Sequence, residues 1–164
     1  MLYYKRLFIW IFVIVTLSAC QTVTTSEIYE KTQSQINRIE IGSAHNRFEQ
    51  IFYRQFADNL NQNPALRDLS LSITLTPTNS STLALKGKSS TLSKTTMTLK
   101  YTLADRVSDA VLTSGTLEAT ATSGTVSSYY GQDKSKQFAA ERLTLNLADK
   151  LALRLRSHFL NEAN

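Results

Sequence analysis

The chain has one cysteine among its 164 residues, and that scarcity removes several ways of holding a domain together. No disulfide can form within it, and a cysteine-built zinc site is out of reach. Two prolines and five glycines are too few for a long proline-rich or glycine-rich linker. The two histidines, His45 and His158, stand alone, with no cluster at metal-ligand spacing. A nucleophile elbow is absent, because Ser114-Gly115 lacks the G-x-S-x-G frame, and there is no glycine-rich phosphate loop. Carboxylates are scattered, with no pair forced together by spacing. These absences predict a protein that is not an enzyme and that uses no metal and no cofactor. Charge is also modest: 18 cations against 13 acids give a formal +5, too little on charge alone for a nucleic-acid binder.

What is present begins at the N-terminus. Lys5 and Arg6 precede an apolar run, LFIWIFVIVT, and the small residues Ser18 and Ala19 then abut Cys20. From Leu7 to Ala19 the run is about 13 residues, short of the roughly 20 needed to span a bilayer as a helix. A positive n-region, a short apolar core and small residues are the parts of a secretory signal. With a cysteine at the cleavage site, the pattern resembles the lipobox of bacterial lipoproteins. That resemblance implies that Cys20 is acylated and becomes the first residue of the mature chain. Two or three acyl chains anchor a protein stably where one does not. Gln21, rather than Asp, follows the cysteine, which in the sorting rule of such lipoproteins implies the outer membrane. Residues 1–19 are thus read as a signal peptide, residues 20–34 as the lipidated N-terminus and a polar tether, and residues 35–164 as one domain. Loss of the signal leaves 16 cations against 13 acids, a mature charge of +3.

Periodicity then orders the domain. A strand is predicted near Ile36 to Ile41, broken by Gly42 and Ser43. A helix follows from about Ala44 to Asn61, with Phe48, Ile51, Phe52, Phe56 and Leu60 as its core stripe. Asn46 and Glu49 have capping-box spacing, and Ser43 is the alternative start. Leu69, Leu71, Ile73 and Leu75 alternate with serine and threonine in a second strand, and PTNSS (Pro77 to Ser81) reads as a turn. Residues 82–90 are ambiguous between strand and loop. A third strand spans about Leu92 to Leu103, with Met97, Leu99, Tyr101 and Leu103 facing inward. A turn from Ala104 to Ala110 leads to a fourth strand, about Val111 to Thr122, whose inner set is Thr113, Gly115, Leu117, Ala119 and Ala121. After a polar loop, a helix runs from about Lys136 to Leu160. Its apolar face is Leu145, Leu147, Ala148, Leu151, Ala152, Leu155 and Phe159, with Arg142, Asp149, Lys150, Arg154 and Arg156 opposite. Leu143, Leu153 and Leu160 fall outside the apolar arc. The order β-α-β-β-β-α predicts an α+β two-layer sandwich: a mixed sheet of about four strands with two helices on one face.

That order behind a lipobox resembles the LPS-assembly lipoprotein LptE family. The likeness is densest from Met97 to Phe159: a strand ending Leu-x-Asp at Leu103 to Asp105, a turn, the strand VLTSGT from Val111, a tyrosine-bearing loop at Tyr129 and Tyr130, and Ala140-Glu141 in the last helix. Ser108-Asp109 replaces the family's turn glycine. The resemblance implies an outer-membrane, lipid-anchored protein that plugs the LptD barrel, supports its assembly and binds lipopolysaccharide. The alternatives are an auxiliary lipoprotein of lipid transport and one that activates a peptidoglycan synthase.

Lipopolysaccharide carries phosphates and carboxylates, so cations are the expected contacts. The basic run Lys86, Lys88, Lys94, Lys100 and Arg106 supplies them, opposed along the chain only by Asp105. Arg106, Lys100 and Lys94 are the lipopolysaccharide candidates. Alternation puts both lysines on the strand face away from Met97, Leu99 and Tyr101. Leu143, Leu153 and Leu160 are the candidates for barrel contact.

Overall fold

The computed structural model describes residues 32–60, 67–82, 92–124 and 128–162. The signal, Cys20, Lys86 and Lys88 lie outside them. A helical segment at residues 32–36 leads to strand β1, Ile39–Ile41, and helix α1, Arg47–Asp58. Strands β2, Leu69–Thr82, β3, Leu92–Asp105, and β4, Val111–Gly124, follow, and helix α2, Tyr129–Glu162, ends the fold. The sheet runs β1-β2-β3-β4, with β1 parallel to β2 and the other pairs antiparallel. The fold is α+β, with the helices packed against a four-stranded mixed sheet in the expected order.

Alternation produces the inner sheet face. Leu69, Leu71, Leu75, Met97, Leu99, Tyr101, Leu103 and Ala119 are buried there, against Phe52 and Phe56 of α1 and Leu147, Leu151 and Leu155 of α2. Helix α1 starts at Asn46, whose Oδ1 accepts the Glu49 amide at 3.0 Å, while Glu49 Oε2 accepts the His45 amide at 2.7 Å. The capping box at Asn46, not Ser43, therefore sets the start. Cross-helix contacts advance in step: Arg47 with Glu141, Gln55 with Asp149, and Arg156 with the Asn59 carbonyl. The two helices thus lie side by side and parallel.

Several boundaries differ from the pattern reading. Residue 36 is helical, not strand, and β1 keeps only three residues. Residues 32–34, read as tether, are also helical, and Thr32 is buried. PTNSS is not a turn; β2 continues through Pro77, paired with Met97. Proline fits because β1 covers only Leu69 to Leu71, so β2 is an edge strand by Pro77 and one side of its ladder needs no donor. Helix α2 begins seven residues before Lys136, where Ser128 Oγ accepts the Gly131 amide at 3.0 Å. Its first turn carries exposed Tyr129 and Tyr130, which give no apolar period to read.

The facing of α2 also needs correction. Leu143 is buried in the core, while Leu145 is exposed beside Arg47 and Ile51. The buried row is Ala140, Leu143, Thr144, Leu147, Ala148, Leu151, Ala152, Leu155, Arg156 and Phe159. Arg156, placed by the wheel on the solvent face, is 2% exposed. The reason is a second covering layer: the segment at residues 32–36 and the end of α1 reach over the C-terminal half of α2. Arg156 Nη1 donates to Gln33 Oε1 and Nη2 to the Asn59 carbonyl, each at 3.0 Å.

Candidate functional site

The sheet's outer face is built by the even-numbered residues of its long strands. Ser72, Thr74 and Thr76 of β2, Thr96, Thr98 and Thr102 of β3, and Ser114, Thr116, Thr120 and Thr122 of β4 form a short-chained hydroxyl surface. Its side chains pair across strands: Thr96 Oγ1 and Thr120 Oγ1 lie 3.2 Å apart, and Thr98 Oγ1 donates to Glu118 Oε1 at 3.3 Å. Lys94, Lys100 and Glu118 are the charged residues of that face on β3 and β4.

Lys94 and Lys100 are exposed and on one face, as alternation requires. Six residues of strand separate them by about 20 Å, so they cannot close on one phosphate. Glu118, opposite Thr98, sits between their positions. Arg106 lies apart from them at the β3–β4 turn. Its Nη1 forms a salt bridge with Glu40 Oε2 and also donates to the Arg67 carbonyl at 3.3 Å, while its amide donates to the Asp68 carbonyl at 2.8 Å. Arg106 therefore ties the turn to β1 and to the start of β2. The structure does not bring the three cations together into a strip.

Two further devices stiffen this end. Arg38 grips Asp68 with Nε at 2.8 Å and with Nη2, and donates to Gln35 Oε1 at 2.6 Å. The guanidinium holds the Asp68 carboxyl below its ordinary range. Asp105 accepts from the Ser108 amide at 2.8 Å, the Ser108 hydroxyl at 3.0 Å and the Val107 amide at 2.9 Å, and these donors lower its pKa. Asp109 then takes the left-handed conformation, φ 55°, at the position where glycine would be at ease. The tip beyond is apolar: Val107 and Val111 are exposed.

Two clefts lie between β4 and α2. Near the start of β4, Tyr101, Thr113, Leu153, Arg154, Ser157 and His158 border a space of about 570 Å³. His158 Nε2 lies 3.4 Å from Glu162 Oε1, in ion-pair range but without a hydrogen bond. Near the end of β4, Ala121, Ser123, Lys134, Phe138 and Arg142 border about 380 Å³. Lys134 Nζ lies 5.7 Å from the Tyr130 ring centroid. Sequence reasoning missed both clefts, because they join a strand edge to a helix flank that no local pattern links.

The barrel-contact candidates separate. Leu153 is exposed, Leu160 is half-buried, and Leu143 is core and unavailable to a partner. Among the described residues, no group of three or more His, Cys, Asp and Glu side chains lies together as a metal site, and no helix is long and apolar enough to cross a membrane.

No protein-family model and no curated protein matches the chain. Solved structures share its fold. A Caulobacter crescentus CB15 protein described provisionally as a lipoprotein superposes with a TM-score of 0.60 at 17% identity, covering 79% of this chain and 96% of that one. Rare lipoprotein B of Shewanella oneidensis gives 0.58 at 12% identity, over 77% and 97%. A minor lipoprotein of Acinetobacter baumannii gives 0.51 at 17% identity, over 73% and 90%. At such identities the likeness is one of fold.

Proposed function

We propose that this chain is an outer-membrane lipoprotein, acylated at Cys20, that fits within an LptD-like barrel, supports its assembly and helps lipopolysaccharide reach the outer leaflet. The observation that carries the reading is the outer sheet face. Three long strands present serine and threonine with few charges, a surface suited to a barrel lumen, which is polar. The fold shared with three lipoproteins and the lipobox-like Cys20 add support. Leu153, exposed on α2, is a contact for the barrel wall, and Leu160 can add to it. Lipopolysaccharide contact falls to Lys94 and Lys100, each meeting a separate anionic group, and Arg106 joins only by exchanging Glu40 for a phosphate.

Affinity purification of the detergent-solubilised protein from outer membranes tests this. The expected result is a co-purifying large barrel, weakened by Leu153→Asp, and loss of surface lipopolysaccharide on depletion. Recovery of the protein without a barrel, with surface lipopolysaccharide unchanged on depletion, would refute the reading.

A further inference from the structure

We infer that the free edge of β4 is a docking site for an extended, acidic segment of a partner protein, added antiparallel as a fifth strand. The two outer strands of this sheet are treated differently. At one end β2 is covered by β1 from Leu69 to Leu71 and carries Pro77 beyond it, both of which discourage further pairing. At the other end β4 runs 14 residues, Val111 to Gly124, with no proline and no lysine, and Glu118 as its one charge. Among the described residues no strand pairs with its outer side. Such an edge offers a row of backbone donors and acceptors suited to strand addition.

Charge identifies the occupant. A strand laid along β4 would point alternate side chains toward the helix layer, into the clefts at Thr113 and Ala121. Arg154 borders the first cleft and Arg142 the second, and among the described residues neither has an ion-pair partner. Two acids of α2 turn instead toward α1: Glu141 to Arg47, and Asp149 to Gln55 and Asn59. Thr113 and Ala121 are eight residues apart, about 27 Å along the strand and on the same face. Arg142 and Arg154 are twelve residues apart, about 18 Å along α2, so two carboxylates six residues apart on the added strand, about 20 Å, would each meet a guanidinium in two-point geometry. A second copy of this chain is disfavoured. Two-fold antiparallel pairing of β4 would set the Arg154 end of one copy beside the Arg142 end of the other, like charge against like. The inference does not depend on the barrel reading, whose test is barrel recovery.

The probe is a synthetic peptide of about 11 residues, alternating threonine and valine, with glutamates six apart on one face. Controls are the same peptide with lysines at those positions and one N-methylated on alternate amides. Binding to the detergent-solubilised full chain is read by anisotropy, and its location by amide exchange. The glutamate peptide should bind about tenfold more tightly than the lysine peptide at low salt and protect alternate amides of β4. N-methylation should abolish binding, and Arg142→Glu with Arg154→Glu should reverse the charge preference. The inference is overturned by no binding at about 1 mM, a very weak limit. It is equally overturned by equal affinity for the two charge forms, by full binding of the N-methylated peptide, by protection away from β4, or by self-association through β4 without peptide.

Discussion

Replacing Arg156 tests how the N-terminal helical segment is held to the domain. The guanidinium is buried and donates charge-assisted hydrogen bonds to Gln33 and to the Asn59 carbonyl that ends α1. A hydrogen bond to a charged group contributes about 1.5–3 kcal/mol, and the lower end applies here because Gln33 and Asn59 are half-buried. Arg156→Ala removes both and leaves a cavity, so a cost of roughly 3–5 kcal/mol is expected. For a domain of this size, that corresponds to a fall in Tm of about 10–15 °C. Urea denaturation should show a lower midpoint with an unchanged slope, because the surface exposed on unfolding is nearly the same. Arg156→Met keeps most of the stem packing and should recover part of the loss. Hydrogen exchange should report the damage locally first, at residues 32–36 and at the last turn of α1, before β3 or the middle of α2 is affected. A cost below about 1 kcal/mol for Arg156→Ala, with exchange at residues 32–36 unchanged, would refute the idea that this cation locks the entry of the chain to the fold.

Gly115 faces Tyr101 across β3 and β4, and a Cβ there would meet Tyr101 Oη at 3.0 Å and the ring carbons at 3.2 Å. Because Tyr101 borders the open 570 Å³ cleft, Gly115→Ala should cost under about 1 kcal/mol and Gly115→Val about 1–3 kcal/mol, measured by urea denaturation. Tyr101→Phe should relieve part of the valine cost; no relief would place the strain elsewhere. Acidification should lower Tm, because Asp68, Asp105 and Glu141 all have folded pKa values below the ordinary carboxylate range. Their contribution is full above about pH 5, where the unfolded carboxylates are also ionised, and is lost as pH falls through the lower folded values. The triple variant Asp68→Asn, Asp105→Asn, Glu141→Gln should flatten that slope, and an unchanged slope would assign it to other groups.

Much of the fold was legible because its strongest signals are local. The two-residue alternation through Met97, Leu99, Tyr101 and Leu103, and the small inner residues of β4, fixed which face of β3 and β4 is buried. Helix α1 was legible through its phenylalanine spacing and its cap. What escaped depends on neighbours distant in the chain. Pro77 reads as a turn until β2 is known to be an edge there, a fact set by the three-residue length of β1. The first two turns of α2 lack an apolar period, so their sequence reads as a polar loop. The wheel of α2 had one centre, whereas the helix meets the sheet along much of its length and the segment at residues 32–36 near its end, which buries Arg156.

The candidate cations teach the same lesson for charge. Counted along residues 86–106, the basic run meets one acid, Asp105, and looks like a strip for an anionic ligand. Counted across the sheet, Arg106 meets Glu40, 66 residues away, and Glu118 from β4 stands between the two lysines. A strand's electrostatic neighbours are those beside it, about 5 Å away, rather than those that follow it in sequence. By that measure, the basic run of β3 is opposed by more than the one acid that follows it in sequence. Arg142 and Arg154, about three turns apart on α2, border clefts beside β4 and have no ion-pair partner among the described residues.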